Sequence, residues 1–207
     1  MPTLDHENQL RAAGFRVVAG IDEAGRGPLA GPVCVAAVVL PQGFEHPVLN
    51  DSKQLTVARR ERIYEELTTD ASIHWHCVSI EPAEIDRINI LQATWAGMRA
   101  AALALDPKPD AVLIDGRPVK SYPMYQIALV KGDSLSFSIA AASIIAKVTR
   151  DRLMHALSKE HPEYGFEVHK GYPTPRHLAA LRKHGPCLQH RRSFGPVAQC
   201  EFQWDEA

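Results

Sequence analysis

Apolar and polar positions along the chain alternate in patterns that indicate five strands. Two Val- and Ala-rich runs bounded by Gly and Pro predict strands at residues 16–21 and 33–40, and a less regular alternation predicts another at 72–80. Two shorter apolar runs, 111–114 and 125–130, each lead into a turn that contains an aspartate. Acids at the carboxyl ends of sheet strands are where α/β proteins place their sites.

Helical periodicity fills much of the remaining chain. Early strands followed by alternating strands and helices are typical of an α/β protein, and they predict a mixed sheet covered by helices with a helical C-terminal portion. Pro162 ends the longest of these helices. The pattern indicates helices at residues 56–68, 82–89, 90–105, 134 to about 161, and 175–183.

Composition places the chain among ordinary globular proteins. Its 207 residues, 45% of them apolar, predict a single domain over 1–207, with about 160–207 as a basic helical extension. The sequence contains no apolar run of the ~18 residues that a membrane span needs, so we expect no membrane association. The polar N-terminus is not typical of a secretory signal, and four widely spaced cysteines form no CxxC pair. We therefore expect a cytoplasmic protein without a zinc site.

Charge is unevenly distributed. The formal net charge is −1, yet residues 168–200 contain no Asp or Glu and six Lys or Arg, which leaves about −7 for the remainder. Such a segment suits the gripping of a polyanion, and it is equally compatible with a solvated basic tail. The charged and titratable members are Lys170, Arg176, Arg182, Lys183, Arg191 and Arg192, with His169, His177, His184 and His190.

Two adjacent acids, Asp22 and Glu23, follow the first apolar run. Neighbours on a regular strand point to opposite faces, so both can serve one site only if the strand ends or twists there. Gly25 would allow such a twist. Solvated acids in a surface turn are the alternative, but an acid pair that closes a buried strand favours function.

Two further acids, Asp115 and Asp133, have structural alternatives. Asp115 precedes a glycine, a common turn pair, and Asp133 stands where the N-cap of the long helix is expected. Together with Asp22 and Glu23 they supply hard oxygen ligands, which suit Mg²⁺ or Mn²⁺. Two such ions about 3.5–4 Å apart can activate a water and stabilise a departing oxygen. The four acids therefore predict a divalent-metal site for phosphoryl chemistry.

Residues of other types suggest substrate contacts. Gly25, Arg26 and Gly27 form either a plain turn or a loop whose backbone and guanidinium approach a phosphate. Tyr172 lies near basic residues, where an aromatic ring either fills a turn or stacks on a sugar or base. Lys53 is a candidate phosphate contact, although an exposed lysine before a helix explains it as well.

The motifs that contain these residues resemble prokaryotic type 2 ribonuclease H, ribonuclease HII. They run in family order and cover most of the chain. The matching segments are GIDEAGRGPLAG at 20–31, DSKQL at 51–55, LIDG at 113–116, KGD at 131–133, IAAASIIAK at 139–147 and HKGYPT at 169–174.

The resemblance implies the ribonuclease H fold, a five-stranded mixed sheet flanked by helices with a helical C-terminal extension. It implies an endonuclease that hydrolyses RNA within RNA–DNA hybrids and incises duplex DNA 5′ to single embedded ribonucleotides, leaving a 3′-hydroxyl and a 5′-phosphate. The four acids would hold two Mg²⁺ or Mn²⁺ ions. The partners implied are these nucleic acids, with a monomeric protein and no membrane.

The resemblance also assigns the substrate contacts. The turn of Gly25, Arg26 and Gly27 would contact the 2′-hydroxyl and a neighbouring phosphate, mostly through backbone groups. Tyr172 would pack on the sugar at the RNA–DNA junction, where the 2′-hydroxyl distinguishes RNA from DNA.

Three alternatives stay open. The type 3 enzyme shares the fold but carries an N-terminal substrate-binding domain and a Gly-Lys-Gly turn, whereas about fifteen residues precede the first strand here and the turn contains Arg26. A catalytically inactive module that binds RNA–DNA duplexes would not need four acids. A small-molecule phosphatase would leave the basic C-terminal stretch without a purpose.

Overall fold

A mixed five-stranded sheet organises the fold. The computed structural model describes residues 1–49 and 55–204, with side chains up to residue 200. Strand order is β3-β2-β1-β4-β5; β1 runs antiparallel to β2 and parallel to β4, and β4 runs parallel to β5. This arrangement confirms the predicted mixed sheet. The strands are β1 Val18–Ala24, β2 Val33–Val39, β3 His74–Ile80, β4 Ala111–Asp115 and β5 Tyr125–Leu129.

Helices accompany the sheet and make up most of the C-terminal region, as predicted. Every helix expected from the pattern is present with its bounds shifted by no more than a few residues. The pattern does not predict α1, because its short segment buries only Glu7 and Leu10 and Glu7 is charged. The helices are α1 Asp5–Ala12, α2 Val57–Thr69, α3 Pro82–Ile88, α4 Ile90–Leu103, α5 Phe137–Glu160, α6 Phe166–His169, α7 Pro175–His184 and α8 Gly195–Trp204.

The described residues divide into two compact units. The first comprises Met1–Ala24, Cys34–Val78 and Trp95–Val148, and the second comprises Gly25–Val33, Ser79–Thr94 and the chain from Thr149. The interpretation of residues 1–207 as a single domain stays a prediction.

In the first unit the sheet is covered on both faces. Alternate residues of β2 point to opposite sides, so Ala36 and Val38 pack with α2 and α5 while Val35 and Ala37 pack with α4. The contact between β1 and α5 is very close at Gly20, where a Cβ atom would lie 2.2 Å from the backbone carbon of Ser138. Only glycine permits that approach, which fixes the start of α5 against the strand that carries the acid pair.

Candidate metal centre and recognition loops

Asp22 and Glu23 lie near the end of β1, within the first unit. The strand continues to Ala24, and the two acids stand opposite Ala36 and Val35 of β2. Asp22 is buried, with 5% of its surface exposed, and Glu23 is half-buried. The Asp22 carboxylate accepts a hydrogen bond from the Glu23 N–H at 2.7 Å, which holds its side chain against the strand end.

Three of the predicted acids influence one another. Burial raises the pKa of Asp22 well above its ordinary value, and the negative charges of Glu23 and Asp115 raise it further. Hydrogen bonds from the Glu23 N–H and from the Ser143 hydroxyl of α5 oppose that rise. Asp22, Glu23 and Asp115 therefore share one electrostatic environment, in which a positive charge would be favourable.

The turn that contains Asp133 is bound to the end of β4. Asp115, the last residue of β4, accepts a hydrogen bond from the Gly132 N–H at 2.7 Å through Oδ1. Asp133 follows within a single 3₁₀ turn, Gly132–Ser134, and is buried with 5% exposed. The backbone thus brings the segment of Asp133 next to Asp115.

The interpretation of Asp133 as the N-cap of the long helix is wrong. Helix α5 begins only at Phe137, and the Ser136 hydroxyl accepts the hydrogen bond from the Ile139 N–H at 3.2 Å. A serine placed three residues later does the capping, which leaves Asp133 in a tight turn of its own.

The donor chemistry of these acids fits a hard divalent cation. All the ligand atoms would be carboxylate oxygens, and an ion would offset the mutual repulsion that raises the pKa of Asp22. Among residues 1–49 and 55–200, no group of three or more His, Cys, Asp and Glu side chains stands in an arrangement that could already hold an ion. Glu23 and Asp115 act on Asp22 through their charge, but the described side chains do not form a complete coordination shell.

In the second unit, residues 25–31 form a loop, here called the glycine loop, that is supported by two buried arginines. Arg191 is fully buried and donates to the carbonyl oxygens of Gly25 at 2.6 Å, Arg26 at 3.0 Å and Gly31 at 2.8 Å. Arg150 is 1% exposed, and its Nε would lie only 2.0 Å from a Cβ atom at Gly25. Any larger residue at position 25 would displace that guanidinium.

The glycine loop is joined to residues 170–174, here called the tyrosine loop. Arg150 donates to Ala30 O and to Lys170 O, each at 3.0 Å, so one guanidinium binds both loops. The Leu29 N–H also donates to Gly171 O at 2.8 Å. A Cβ atom at Gly27 would lie 3.6 Å from Cε1 of Tyr172, whose side chain is 44% exposed. The structure therefore brings Gly27 and Tyr172 together beside solvent.

A cluster of buried histidines supports the tyrosine loop, and the sequence pattern does not reveal it. His177 Nδ1 is 2.9 Å from Tyr172 O, and its Nε2 is 3.0 Å from Nε2 of His190. His169 stacks on His177 with 4.5 Å between ring centroids. Burial lowers the pKa of all three, that of His190 to about 3, so the rings are neutral near neutral pH.

Part of the basic stretch is buried and part of it is exposed. Arg191 and three of its four histidines are buried, so they support loops and cannot contact a phosphate. The cations that reach solvent are Arg176, Arg182, Lys183 and Arg192. Lys53, the remaining candidate contact, lies outside the described residues. No helix among those described is long and apolar enough to cross a membrane.

Comparison with known proteins finds a family model, sequence relatives and solved structures that are similar to this chain. A family model described as Ribonuclease HII matches residues 19–197. The Ribonuclease HII of Xanthomonas axonopodis pv. citri (strain 306) is 55% identical over 196 residues, which are 94% of this chain and 80% of that protein. The matched region contains every acid and loop described above.

Solved structures show the same fold. The ribonuclease H2 from Pyrococcus horikoshii OT3 has a TM-score of 0.78 at 28% identity, covering 93% of this chain and 100% of that one. Bst-RNase HIII in complex with Mn²⁺ has a TM-score of 0.68 at 19% identity, covering 100% of this chain and 75% of that one. The second likeness is at the level of the fold alone.

Proposed function

The chain belongs to the ribonuclease HII family, and from that premise we propose that it incises duplex DNA on the 5′ side of single embedded ribonucleotides. It is a type 2 ribonuclease H, a hydrolase that acts on RNA–DNA hybrids. The products of the proposed incision are a 3′-hydroxyl and a 5′-phosphate. The observation that carries the proposal is the placement of the acids: β1 and β4 pair in parallel with Ile21 opposite Ile114, so Asp22, Glu23 and Asp115 follow at the same edge of the sheet.

In this proposal Asp22, Glu23, Asp115 and Asp133 hold two divalent ions, Mg²⁺ or Mn²⁺. When bound, such ions supply an activated water and charge stabilisation for the leaving oxygen. The protein contributes the fixed positions of the acids: β1 holds Asp22 and Glu23, and the Gly132 N–H orients the Asp115 carboxylate. The burial of Asp22 also limits the water that would screen its charge.

Substrate selection falls to the two loops of the second unit. The backbone of Arg26 and Gly27, two exposed residues, would bind the 2′-hydroxyl and an adjacent phosphate, and the Tyr172 ring would pack on the same sugar. Exposed cations of the C-terminal region would bind phosphates without regard to sequence. We propose further that the protein acts as a monomer in the cytoplasm, in the removal of ribonucleotides from DNA.

A duplex that carries one ribonucleotide tests the proposal. It is end-labelled and incubated with Mg²⁺, with Mn²⁺ and with EDTA, beside an all-DNA duplex of the same sequence and an RNA–DNA hybrid. We expect metal-dependent incision 5′ to the ribonucleotide while the all-DNA duplex stays intact. Cleavage of the hybrid alone would refute the single-ribonucleotide activity. Binding without incision under either metal would indicate an inactive recognition module.

A further inference from the structure

Arg191 is a charged side chain that is buried against the backbone of the glycine loop. Its side chain is fully buried, and its guanidinium spans three backbone carbonyls of the glycine loop, those of Gly25, Arg26 and Gly31. Its charge also faces the ring of Phe194, with 5.2 Å between Cζ and the ring centroid. Burying a guanidinium is costly unless its donors are satisfied, so this loop conformation and this arginine stabilise each other.

The direction of two carbonyls determines the direction of two amides. In a planar trans peptide the C=O of one residue and the N–H of the next point in opposite directions. Because Gly25 O and Arg26 O both accept from Arg191, the N–H groups of Arg26 and Gly27 both point away from it. Gly25 is buried whereas Arg26 and Gly27 are exposed, so these two successive amides are directed toward the solvent side of the loop.

Two successive backbone N–H groups that point the same way form a small concavity of positive potential, which suits an oxygen atom that accepts hydrogen bonds. The exposed ring of Tyr172 stands beside it, since a Cβ atom at Gly27 would lie 3.6 Å from Cε1 of that ring. The two N–H groups could donate to a hydroxyl oxygen of a sugar while the aromatic ring packs on the sugar itself. A deoxyribose offers the same face for stacking but no oxygen at the 2′ position for the amides.

We propose that Arg191 is a positioning residue for selectivity: by holding the carbonyls of Gly25 and Arg26, it aims the next two amides at the 2′-hydroxyl of the substrate. This inference rests on the proposed function of the same loops. Arg191 itself touches no substrate in this account, because it is fully buried. Its contribution is to the difference in affinity between ribose and deoxyribose, while general binding of the duplex is left to exposed cations.

The test substitutes Arg191→Lys, which keeps the charge but cannot span three carbonyls from one planar group. The cleaved substrate is the duplex with one ribonucleotide, and the all-DNA duplex of the same sequence serves as a competitive inhibitor. We expect KM for the substrate to rise by about tenfold, the effect of misdirecting a hydrogen bond or two, while Ki for the inhibitor stays unchanged. Arg87→Lys is the matched control, because Arg87 is exposed and pairs with Glu84 of the same helix at 2.6 Å.

A purely structural role for Arg191 would give a different result. Both KM and Ki would then change together with the melting temperature, and that outcome would overturn the proposal, as would a folded variant with an unchanged ratio of KM to Ki. If Arg191→Lys does not fold, Arg191→Gln, a smaller neutral side chain that still donates through its amide, is measured in the same way.

A measurement on the wild-type chain tests the amide direction without any cleavage. The amide signals of Arg26 and Gly27 are followed by nuclear magnetic resonance in EDTA while each duplex is added. We expect both to shift with the ribonucleotide duplex and to shift less with the all-DNA duplex. Equal responses to the two duplexes, or none, would refute the inference. A wild-type chain that shows the selective shift but never incises would refute the proposed function instead.

Discussion

Asp133 is a single carboxylate whose substitution separates chemistry from binding. Asp133→Asn keeps the shape of the side chain but removes the negative charge that a divalent ion requires. We expect kcat to fall by at least about 10²–10³, as when one charge-stabilising group is lost from an active site, while binding of the duplex persists. Cleavage of a labelled duplex and fluorescence anisotropy measure the two quantities separately. Loss of both, with a lower melting temperature, would assign Asp133 a structural role in its turn.

Tyr172 exposes 44% of its surface, so its removal should affect recognition more than folding. For Tyr172→Ala we expect a loss equivalent to about 1–3 kcal/mol of stacking on the single-ribonucleotide substrate. The free energy of unfolding should change by only about 0.5 kcal/mol, as is usual for exposed positions. Cleavage rates and denaturant titrations check both, and Tyr172→Phe, which keeps the ring, is the control. An unchanged rate for Tyr172→Ala would exclude stacking on the sugar.

The sequence predicts the positions of some residues of the site and does not predict those of others. The apolar runs that stop at Asp22 and Asp115 predict acids at strand ends; Asp115 does end β4, whereas β1 continues two residues beyond Asp22 to Ala24. The burial of Arg191 does not, because its partners lie up to 166 residues away in the chain and are backbone carbonyls, which any residue carries. The sequence also offers Asp133 as an N-cap, the structural alternative to a metal ligand, because aspartate favours that position, but Ser136 fills it.

At the scale of elements, Glu7 links α1 to the start of α5. Its Oε1 accepts from the Ser136 hydroxyl at 2.6 Å, the Ser138 N–H at 3.0 Å and the Ser138 hydroxyl at 2.6 Å. Glu7→Gln replaces the buried carboxyl group with an amide whose NH₂ group cannot accept, which disturbs these hydrogen bonds, so we expect destabilisation by about 1–3 kcal/mol. A urea titration measures this change in the free energy of unfolding. Asp5→Asn, at an exposed position of the same helix, should have little effect, and equal effects would contradict this account.

The histidine cluster under the tyrosine loop makes stability depend on pH. Burial lowers the pKa of His190 from its ordinary value of 6.5 to about 3, and the neighbouring His177 lowers it further in the same direction. Between these values the unfolded chain binds a proton that the folded chain does not, so the free energy of unfolding decreases as pH falls from about 6.5 toward about 3.

A variant tests the origin of that dependence. His190→Gln should be less stable than the wild type at about pH 7, because it loses packing, yet its stability should change less between about pH 7 and about pH 5. Denaturant titrations at several pH values give both quantities. An identical slope in variant and wild type would exclude His190 as the source. His169 and His177, whose pKa values are also lowered, contribute to the slope that stays.

Element bounds follow from the sequence more readily than element roles. The run of Val and Ala predicts β2 to within one residue, because Gly and Pro bound it at one end and the buried pattern is continuous. The pattern does not predict helix α1, because the buried residue that attaches it to the fold is Glu7, which accepts hydrogen bonds from Ser136 and Ser138. Hydrophobic periodicity shows which faces of a helix or strand are apolar. It does not show a polar contact between residues that are far apart in the chain.

Over the whole molecule, divalent cations should change stability as well as activity. A ligand that binds only the folded chain stabilises it by about 2.7 kcal/mol at a hundredfold excess over its Kd. We therefore expect Mg²⁺ or Mn²⁺ to raise the melting temperature of the wild type. Asp22→Asn should abolish that rise and be more stable than the wild type without metal, because burial and nearby charges disfavour its carboxylate. A metal-induced rise that persists in this variant would contradict the predicted site.

The glycine loop, described above as held by Arg191, has a consequence for the order in which the protein acquires function during translation. The ribosome makes residues 25–31 early and Arg191 late, and the contact between Gly25 and Arg191 closes a separation of 166 residues. A nascent chain can assemble its sheet and acids before that contact exists. If the loop selects ribose as proposed, that selectivity is the last property to be completed, and a truncated product is expected to retain the carboxylates and lack the discrimination.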